Sequence, residues 1–231
     1  MTRIICLANS LKRSERCIAG IEPATGRWIR PVTAHLDGRV PRPTRLVAGA
    51  EPRLLDLLEI PLADTGPDYG FESENRLILP GTWRRVGRVQ ASALLKYRAP
   101  DREILHTATP YVTVPYMQGL PPEERRTLQL VETTGFSVQR DARSNRWKGT
   151  LTTRAGQRLT AHITDPLLMQ QLAVGYLPSD HCLVTVSLSM PWRPPGWDGD
   201  EPCWKLIASA IDLDPAHASA ADELDLASVP F

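Results

Sequence analysis

Basic and aromatic side chains lie side by side in two short segments of the sequence. Arginine and lysine neutralise phosphate groups, and aromatic rings stack on exposed bases, each stack being worth about 1–3 kcal/mol. Such a mixture is typical of surfaces that hold a single-stranded nucleic acid. The two segments contain Arg27, Trp28 and Arg30 in the first half of the chain, and Arg146, Trp147 and Lys148 in the second.

Polar and basic residues near the start of the chain extend this candidate surface. Asn9 and Ser10 can hydrogen-bond to phosphate, sugar or base edges. Lys12, Arg13 and Arg16 follow them closely and can neutralise phosphates. All five are expected in the loop between the first two predicted strands. If the first three strands form a meander, this loop lies near the segment that contains Trp28.

Each candidate also has a purely structural interpretation. Trp28 can be a core aromatic residue, and Asn9 and Ser10 can satisfy the backbone of a turn. The basic side chains can form a solvated loop face. Lys205, in the last predicted strand, can point away from the core to bind a ligand, or it can protect a sheet edge from pairing. At the level of sequence both interpretations stay open.

The sequence shows no recognisable catalytic or metal-binding motif. Its four cysteines form no C-x-x-C pair and its five histidines are scattered, so we expect free thiols, no metal and no cofactor. Glu72 and Glu74 share a face if that segment is extended, but no histidine or lysine accompanies them at a telling spacing. Asp165 is interpreted as a helix cap rather than as a catalytic acid. A nuclease or other hydrolase is therefore the least favoured function.

Short apolar segments separated by proline and glycine predict a chain that is mainly β. Strands are expected near residues 3–7, 17–21, 28–32 and 54–62, and again near 127–132, 136–140, 146–152, 158–164, 183–189 and 204–211. Helices are expected at residues 91–97 and after Asp165, where Pro166 fits the first helical position. About five strands and one short helix in each half suit an oligonucleotide-binding (OB) barrel. A small sandwich or SH3-like unit fits the count almost as well.

These patterns divide the chain into three parts. We expect a first OB-like barrel over residues 1–105, a second over 106–214, and a flexible, disordered acidic tail over 215–231. Residues 1–160 carry a net charge of +9 and residues 161–231 a net charge of −8, which suggests a cationic working surface and an acidic end.

The order of several motifs is similar to that of the bacterial dual OB domain family. These motifs are CLANSLKRSERCIAG and GRWIRPV near the start, TDP at residues 164–166, LVTVSLS, and WKLIAS near the end. The resemblance runs from about residue 2 to residue 211. It implies two OB barrels in tandem and a role in binding or sensing nucleic acid.

The last residues resemble the tip of bacterial single-stranded DNA-binding proteins, in which an acidic run ends in an aliphatic residue, proline and phenylalanine. That resemblance implies a protein-docking role for Asp222, Glu223, Asp225, Val229, Pro230 and Phe231. Here the acids are fewer, and three residues separate them from the final Val-Pro-Phe. The tail can alternatively lie in the basic groove of its own chain and compete with nucleic acid, or serve only as a solubilising end.

The combined interpretation is a non-catalytic module for single-stranded DNA or RNA, and a bacterial defence system is a compatible setting. The alternative is a protein–protein adaptor that uses the barrels and the tail as docking surfaces. No apolar stretch approaches the roughly 18–20 residues that span a membrane. The apolar run near the start is also too short for a signal peptide. We therefore expect a cytoplasmic protein with no membrane partner.

Overall fold

The computed structural model describes residues 1–99 and 103–214. Its first half forms one six-stranded sheet in the order β5-β3-β2-β1-β4-β6, in which β3 and β5 are parallel and the other pairs are antiparallel. The elements are β1 (Thr2–Lys12), β2 (Glu15–Ile21), β3 (Trp28–Val32), α1 (Arg42–Arg45), β4 (Asp56–Ile60), β5 (Asn75–Leu77) and β6 (Arg84–Arg88).

The chain that follows β4 closes the first five strands into a barrel. Leu62 forms a bridge with Ile78, and the N–H of Leu79 donates to the carbonyl of Pro61 at 2.8 Å. The extension of β4 thus pairs with that of β5, while β4 itself pairs with β1. A closed five-stranded order with a helix between the third and fourth strands is the OB arrangement. β6 is an additional strand outside this barrel.

The second half repeats this arrangement. β9, β10 and β11 form a three-stranded sheet, and β7, β13, β12 and β8 form a four-stranded one. A parallel bridge between Ile163, just after β11, and Ile207 of β13 joins the two sheets. β8 pairs with β12 and β9 pairs with β10, so the two together take the place of one bent first strand of an OB barrel. The elements are β7 (Tyr111–Thr113), α2 (Val114–Gln118), β8 (Leu128–Thr133), β9 (Ser137–Arg140), β10 (Trp147–Thr152), β11 (Arg158–His162), α3 (Pro166–Ala173), β12 (Cys182–Leu188) and β13 (Pro202–Asp212).

Alternate side chains of β1 belong to two different apolar clusters, one on each face of the strand. Ile4 and Cys6 point into the core of the first barrel. Ile5 and Leu7 point outward, because successive strand residues face opposite sides of a sheet. That outward face is also buried, since it packs on the second barrel. A strand that reads as continuously apolar therefore contributes to a barrel core and to the contact between barrels.

The contact between barrels is apolar and closely packed, with polar groups at its centre. The Leu7 carbonyl accepts hydrogen bonds from Thr185 Oγ1 at 2.8 Å and Ser209 Oγ at 2.5 Å. Small side chains allow this close approach. The residues that form the contact include Ile5, Leu7, Ile21, Leu130, Leu183 and Ile211 in one buried cluster, and Ala8, Ala19, Leu128 and Ala208 in another.

The predicted fold class is confirmed: the chain is mainly β and forms two tandem OB-like barrels. Asp165 begins α3 as predicted, and its carboxylate accepts the N–H groups of Leu167 and Leu168 at 2.9 and 3.2 Å. The segment Ala91–Tyr97 is a 3₁₀ helix without a capping side chain. The boundary between residues 105 and 106 stays a prediction, and the acidic tail lies outside the described residues.

Candidate functional site

The outer face of β2 and β3 in the first barrel is covered by the second barrel. In OB proteins the corresponding face, with the loops after the first and fourth strands, is the one that binds oligonucleotides. Here Ala19 and Ile21 are buried on this face, and Trp28 is half-buried against the clusters that join the barrels. Trp28 therefore packs between the barrels and is not an open stacking platform.

Arg30 is buried beside Trp28 and is not available to a ligand, contrary to the prediction. Its Nη1 lies 2.7 Å from Glu72 Oε1, and its Nη2 donates to Thr127 Oγ1 of the second barrel at 2.8 Å. Burial alone would lower the pKa of Arg30, but Glu72 and the other anionic groups nearby raise it. The charged guanidinium is thus held in place by a carboxylate that lies in the loop between β4 and β5.

The acidic pair considered for catalysis belongs to the same network. Glu72 accepts a hydrogen bond from Asn75 Nδ2 at 2.7 Å, and Glu74 accepts from the Thr127 N–H at 2.6 Å. Burial raises the pKa of Glu74, while Arg30 acts against that shift. Both carboxylates are therefore occupied in joining the barrels.

Lys205 is also buried, contrary to the prediction that it points away from the core. Its Nζ donates to the carbonyls of Ile104 and Thr107 at 2.5 and 2.6 Å. Cys203, Lys205 and Ile207 occupy alternate positions of β13, and all three are buried. Burial lowers the pKa of Lys205 to about 8. This lysine fixes the chain before β7 and does not reach the surface.

The polar residues near the start lie mostly in strands rather than in a loop. Ser10 is buried, and its hydroxyl bonds to the Cys17 carbonyl at 3.4 Å. Asn9 donates to the Pro52 carbonyl at 2.8 Å. Burial lowers the pKa of Arg16, which is half-buried in β2. β1 continues to Lys12 and β2 begins at Glu15, so the turn between them is only two residues long.

The turn that contains Arg13 and the turn that contains Arg27 lie far apart. The first precedes β2 and the second follows it, and a seven-residue strand spans about 23 Å. Arg27 is exposed at one end, while Lys12 is half-buried and Arg13 exposed at the other. The prediction that these two groups lie near one another is therefore wrong.

Arg13 instead faces the loop between β12 and β13 of the second barrel. The two barrels line a cleft of about 480 Å³ at this point. Asp37 is shared by Arg13 at 3.5 Å and Arg39 at 3.7 Å. The lining residues that carry charge or apolar surface include Arg13, His35, Leu36 and Arg39 from the first barrel, and Met190, Pro191 and Glu201 from the second.

The outer face of β9, β10 and β11 in the second barrel is polar and open. It is the counterpart of the covered face of the first barrel. Leu151 and Leu159 point into the core, so the residues that alternate with them point outward. Thr150 and Thr160 form a hydrogen-bonded pair at 2.9 Å on this face, in which Thr160 is exposed and Thr150 is buried. The outward set consists of Ser137, Gln139, Lys148, Thr150, Thr152, Arg158, Thr160 and His162.

A basic hairpin tip borders one end of this face. Asp141 organises the tip by accepting hydrogen bonds from Ser144 and by pairing with Lys148 Nζ at 2.6 Å. The bond to Lys148 and those from Ser144 lower the pKa of Asp141. Asn145 adopts a positive φ of 56°, as a hairpin tip requires. Arg146 and the neighbouring Arg143 are exposed there.

Trp147 lies on the opposite side of β10 from Lys148. It is half-buried and packs against the second core, and the Arg140 guanidinium lies 5.7 Å from the centre of its ring. The predicted group of Arg146, Trp147 and Lys148 is therefore close together in the chain but divided between two faces. Lys148 contributes to the open face, Arg146 lies at the hairpin tip, and Trp147 supports the hairpin from inside.

An aromatic cluster joins the loop between β12 and β13 to the neighbouring strands β7 and β13. Tyr111, Trp197 and Trp204 pack edge to face, with ring centres 5.0–5.5 Å apart. The Trp204 Nε1–H donates to the carbonyl of Trp192 at 3.2 Å, while the Trp192 side chain is 58% exposed. This cluster was not predicted from the sequence, although three tryptophans in the 13 residues from Trp192 to Trp204 could have indicated it.

A family model described as "Dual OB-containing domain" matches residues 2–210. Searches of curated proteins and of solved structures found no match. None of the helices described here is long and apolar enough to cross a membrane. Within residues 1–99 and 103–214, no group of histidine, cysteine and carboxylate side chains is arranged to hold a metal ion.

Proposed function

Since the chain belongs to the dual OB-containing domain family, we propose that it is a non-catalytic module that binds a single-stranded nucleic acid on its second barrel. The observation that carries this proposal is the asymmetry between the barrels. The ligand face of the first barrel is buried against the second, whereas the face formed by β9, β10 and β11 is open. The first barrel thus acts as a support for the second.

The open face offers the groups that a single strand needs. Lys148, Arg158 and the hairpin arginines provide positive charge for phosphates, and threonine hydroxyls can bond to sugar or base edges. Trp192 provides an exposed ring near the start of β13, on which a base can stack. The loops that carry the charge and the ring follow the first and fourth barrel strands, where OB proteins contact oligonucleotides.

The cleft between the barrels extends this path. Arg13 and Arg39 line it from the first barrel, and Pro191 lines it immediately before Trp192. A strand that leaves the aromatic loop therefore meets two guanidinium groups there, beside the carboxylates of Asp37 and Glu201. In this proposal the residues that bind are Arg13, Arg143, Arg146, Lys148, Arg158 and Trp192. Arg30 and Lys205 take no part, because both are buried in internal contacts.

The test is fluorescence anisotropy with labelled single-stranded DNA, single-stranded RNA and duplex DNA over a range of salt concentrations. We expect salt-sensitive binding of a single-stranded probe, because each phosphate contact contributes about −0.7 to the slope of log K against log salt. Arg143→Ala combined with Arg146→Ala should reduce that slope by about 1.4.

The matched control combines Arg27→Ala with Arg126→Ala, two exposed arginines away from the open face. We expect it to leave the slope and affinity nearly unchanged. Equal losses in both double variants would contradict the placement of the site on the second barrel. No binding of any probe at low salt would overturn the proposal and favour the adaptor alternative.

A further inference from the structure

We propose that Arg98 and Arg154 form a binding site for the terminal phosphate group of a nucleic-acid strand, an inference that rests on the proposed function. Both arginines contact the carboxylate of Glu132, whose Oε2 lies 3.3 Å from Arg98 Nε and 3.0 Å from Arg154 Nη2. His181 Nε2 lies 3.2 Å from the other oxygen, Oε1. One carboxylate thus gathers three basic side chains at a single point.

Four separate parts of the chain bring these side chains together. Glu132 is in β8, two residues after Leu130, so both point to the side on which the barrels meet. Arg98 comes directly after the 3₁₀ helix that follows β6, and Arg154 lies in the turn between β10 and β11. His181 comes directly before β12. The cluster therefore lies beside the contact between the two barrels.

The two arginines keep their hydrogen-bond donors available. Their side chains are 38% and 67% exposed, whereas that of Glu132 is only 7% exposed. Glu132 Oε2 is closed off from solvent, and neither arginine directs an N–H group at it in hydrogen-bonding geometry. Within residues 1–99 and 103–214, neither guanidinium group donates a hydrogen bond. An anion in front of the carboxylate can therefore use the donors of both groups.

The charges that face the cluster leave it positive. The two guanidinium groups oppose the single carboxylate of Glu132. Asp180 is exposed and forms no ion pair with any residue of the described ranges. Asp214 follows Leu213, which packs in the apolar cluster between the barrels, so Asp214 points to the other side of the sheet. The cluster can therefore attract an anion.

A terminal phosphate suits two exposed guanidinium groups. A phosphate monoester has three acceptor oxygens and a charge between about −1.5 and −2 at pH 7. Each guanidinium group can form two parallel hydrogen bonds to such a group, whereas a phosphate within a strand has only two unesterified oxygens to accept them. Arg158, on the open face, begins β11 just beyond the turn that carries Arg154. A strand bound on the open face can therefore end at this site.

The experiment is fluorescence anisotropy with one internally labelled single-stranded sequence that carries a 5′-phosphate, a 3′-phosphate or hydroxyls at both ends. One of the two phosphorylated ends should tighten binding about tenfold, the gain of one or two charge-assisted hydrogen bonds. Arg98→Gln combined with Arg154→Gln should abolish this preference and leave the affinity for the hydroxyl-ended strand unchanged. Equal binding of the three probes to the native chain would overturn the inference.

Two further variants separate the paired hydrogen bonds from general charge. Arg98→Lys combined with Arg154→Lys keeps positive charge beside Glu132 and so preserves the fold, but it removes the planar guanidinium groups and should lose most of the preference. Full preference in this variant would contradict a site built on guanidinium groups. The control combines Arg27→Gln with Arg126→Gln, two exposed arginines elsewhere, and should keep the preference.

Inorganic phosphate tests the same site without nucleic acid. The NMR signals of the His181 ring should shift saturably with phosphate but not with chloride at equal ionic strength, and the double glutamine variant should remove the shift. Strand binding without a preference for either end would overturn the inference and leave the proposed function standing. A phosphate-induced shift without binding of any strand would overturn both, because free phosphate would then be the ligand.

Discussion

Arg30 Nη2 and Thr127 Oγ1 are joined by a 2.8 Å hydrogen bond, although the two residues lie 97 positions apart. The bond crosses from the outer face of β3 in the first barrel to the start of the second. Glu72 neutralises Arg30, and Glu74 accepts both the N–H and the hydroxyl of Thr127. This buried network fixes how the barrels meet, because each side chain provides a hydrogen-bond or ion-pair partner for a neighbour. Without that partner, the neighbour would be a buried and unpaired polar group.

Replacing Arg30 should therefore destabilise the whole chain. Arg30→Met leaves the Glu72 carboxylate buried without its partner, and breaking a buried ion pair in this way costs about 3–5 kcal/mol. The free energy of unfolding from urea denaturation gives the measurement. Arg27→Met, an exposed arginine three positions earlier, should change it by less than about 0.5 kcal/mol. A loss below about 1 kcal/mol for Arg30→Met would show that the network contributes little.

Gly20 should tolerate no side chain. A Cβ atom built at this position lies 2.1 Å from the backbone oxygen of Ile5, beside the bulge between Cys6 and Ala8 in β1. Because the obstacle is backbone, relief requires β1 and β2 to separate, and we expect Gly20→Ala to cost about 3 kcal/mol or more. Gly87→Ala is the control, since the nearest atoms lie 4.0 Å away in an edge strand. Thermal unfolding of both variants distinguishes a steric effect from a general intolerance of alanine.

Asp165 should make stability depend on pH between about 4 and 6. Burial raises the pKa of this carboxyl group to about 6, although hydrogen bonds from Leu168 and Leu167 act in the opposite direction. The folded chain therefore binds the proton more tightly than the unfolded chain. The stability that this group contributes is present below its unfolded pKa of 3.8 and is lost as pH rises through 6.

The matched variant for this pH dependence is Asp165→Asn, which keeps a capping side chain without a titratable group. The difference in unfolding free energy between the native chain and the variant should fall by about 3 kcal/mol from pH 4 to pH 7. Urea denaturation at several pH values measures it. A difference that is constant with pH, or that rises, would contradict the raised pKa.

Local sequence signals were sufficient for most of the fold. β1, β2 and β3 could be predicted because each contains a short apolar segment that is bounded by turn residues in the sequence. Asp165 and Pro166 begin a helix for equally local reasons. β5 and β7 were missed because each has only three residues. β6 was missed because the sequence of Arg84–Arg88 has no apolar side to indicate a strand.

The site could not be assigned by the same reasoning, because burial depends on partners that are distant in sequence. Lys205 bonds to Ile104, 101 positions away, and Arg30 to Thr127. Nothing near either residue in the chain indicates these contacts. Closeness in the sequence was also misleading within one strand. Trp147 and Lys148 are adjacent in β10, but their side chains lie on opposite faces of the sheet. Residue type predicted the chemistry, but the packing of the two barrels decided which groups reach solvent.

Trp28, which the sequence predicted to bind nucleic acid, should therefore act in stability, and Trp192 should act in binding. Trp28 is half-buried between the barrels, so Trp28→Ala should destabilise the chain by about 3 kcal/mol without altering nucleic-acid affinity of the folded protein. Trp192 has an exposed side chain, so Trp192→Ala should leave stability within about 0.5 kcal/mol. The same change should weaken single-strand binding by about 1–3 kcal/mol if a base stacks there.

Measuring unfolding and anisotropy on both tryptophan variants separates these roles. Trp192→Phe is the rescue variant, because it keeps an aromatic face, and it should retain more affinity than Trp192→Ala. If the folded Trp28→Ala variant loses affinity for nucleic acid, the binding site lies on the first barrel instead. If Trp192→Ala leaves the affinity unchanged, no base stacks on Trp192. The open face of β9, β10 and β11 would then bind the strand through its phosphates alone.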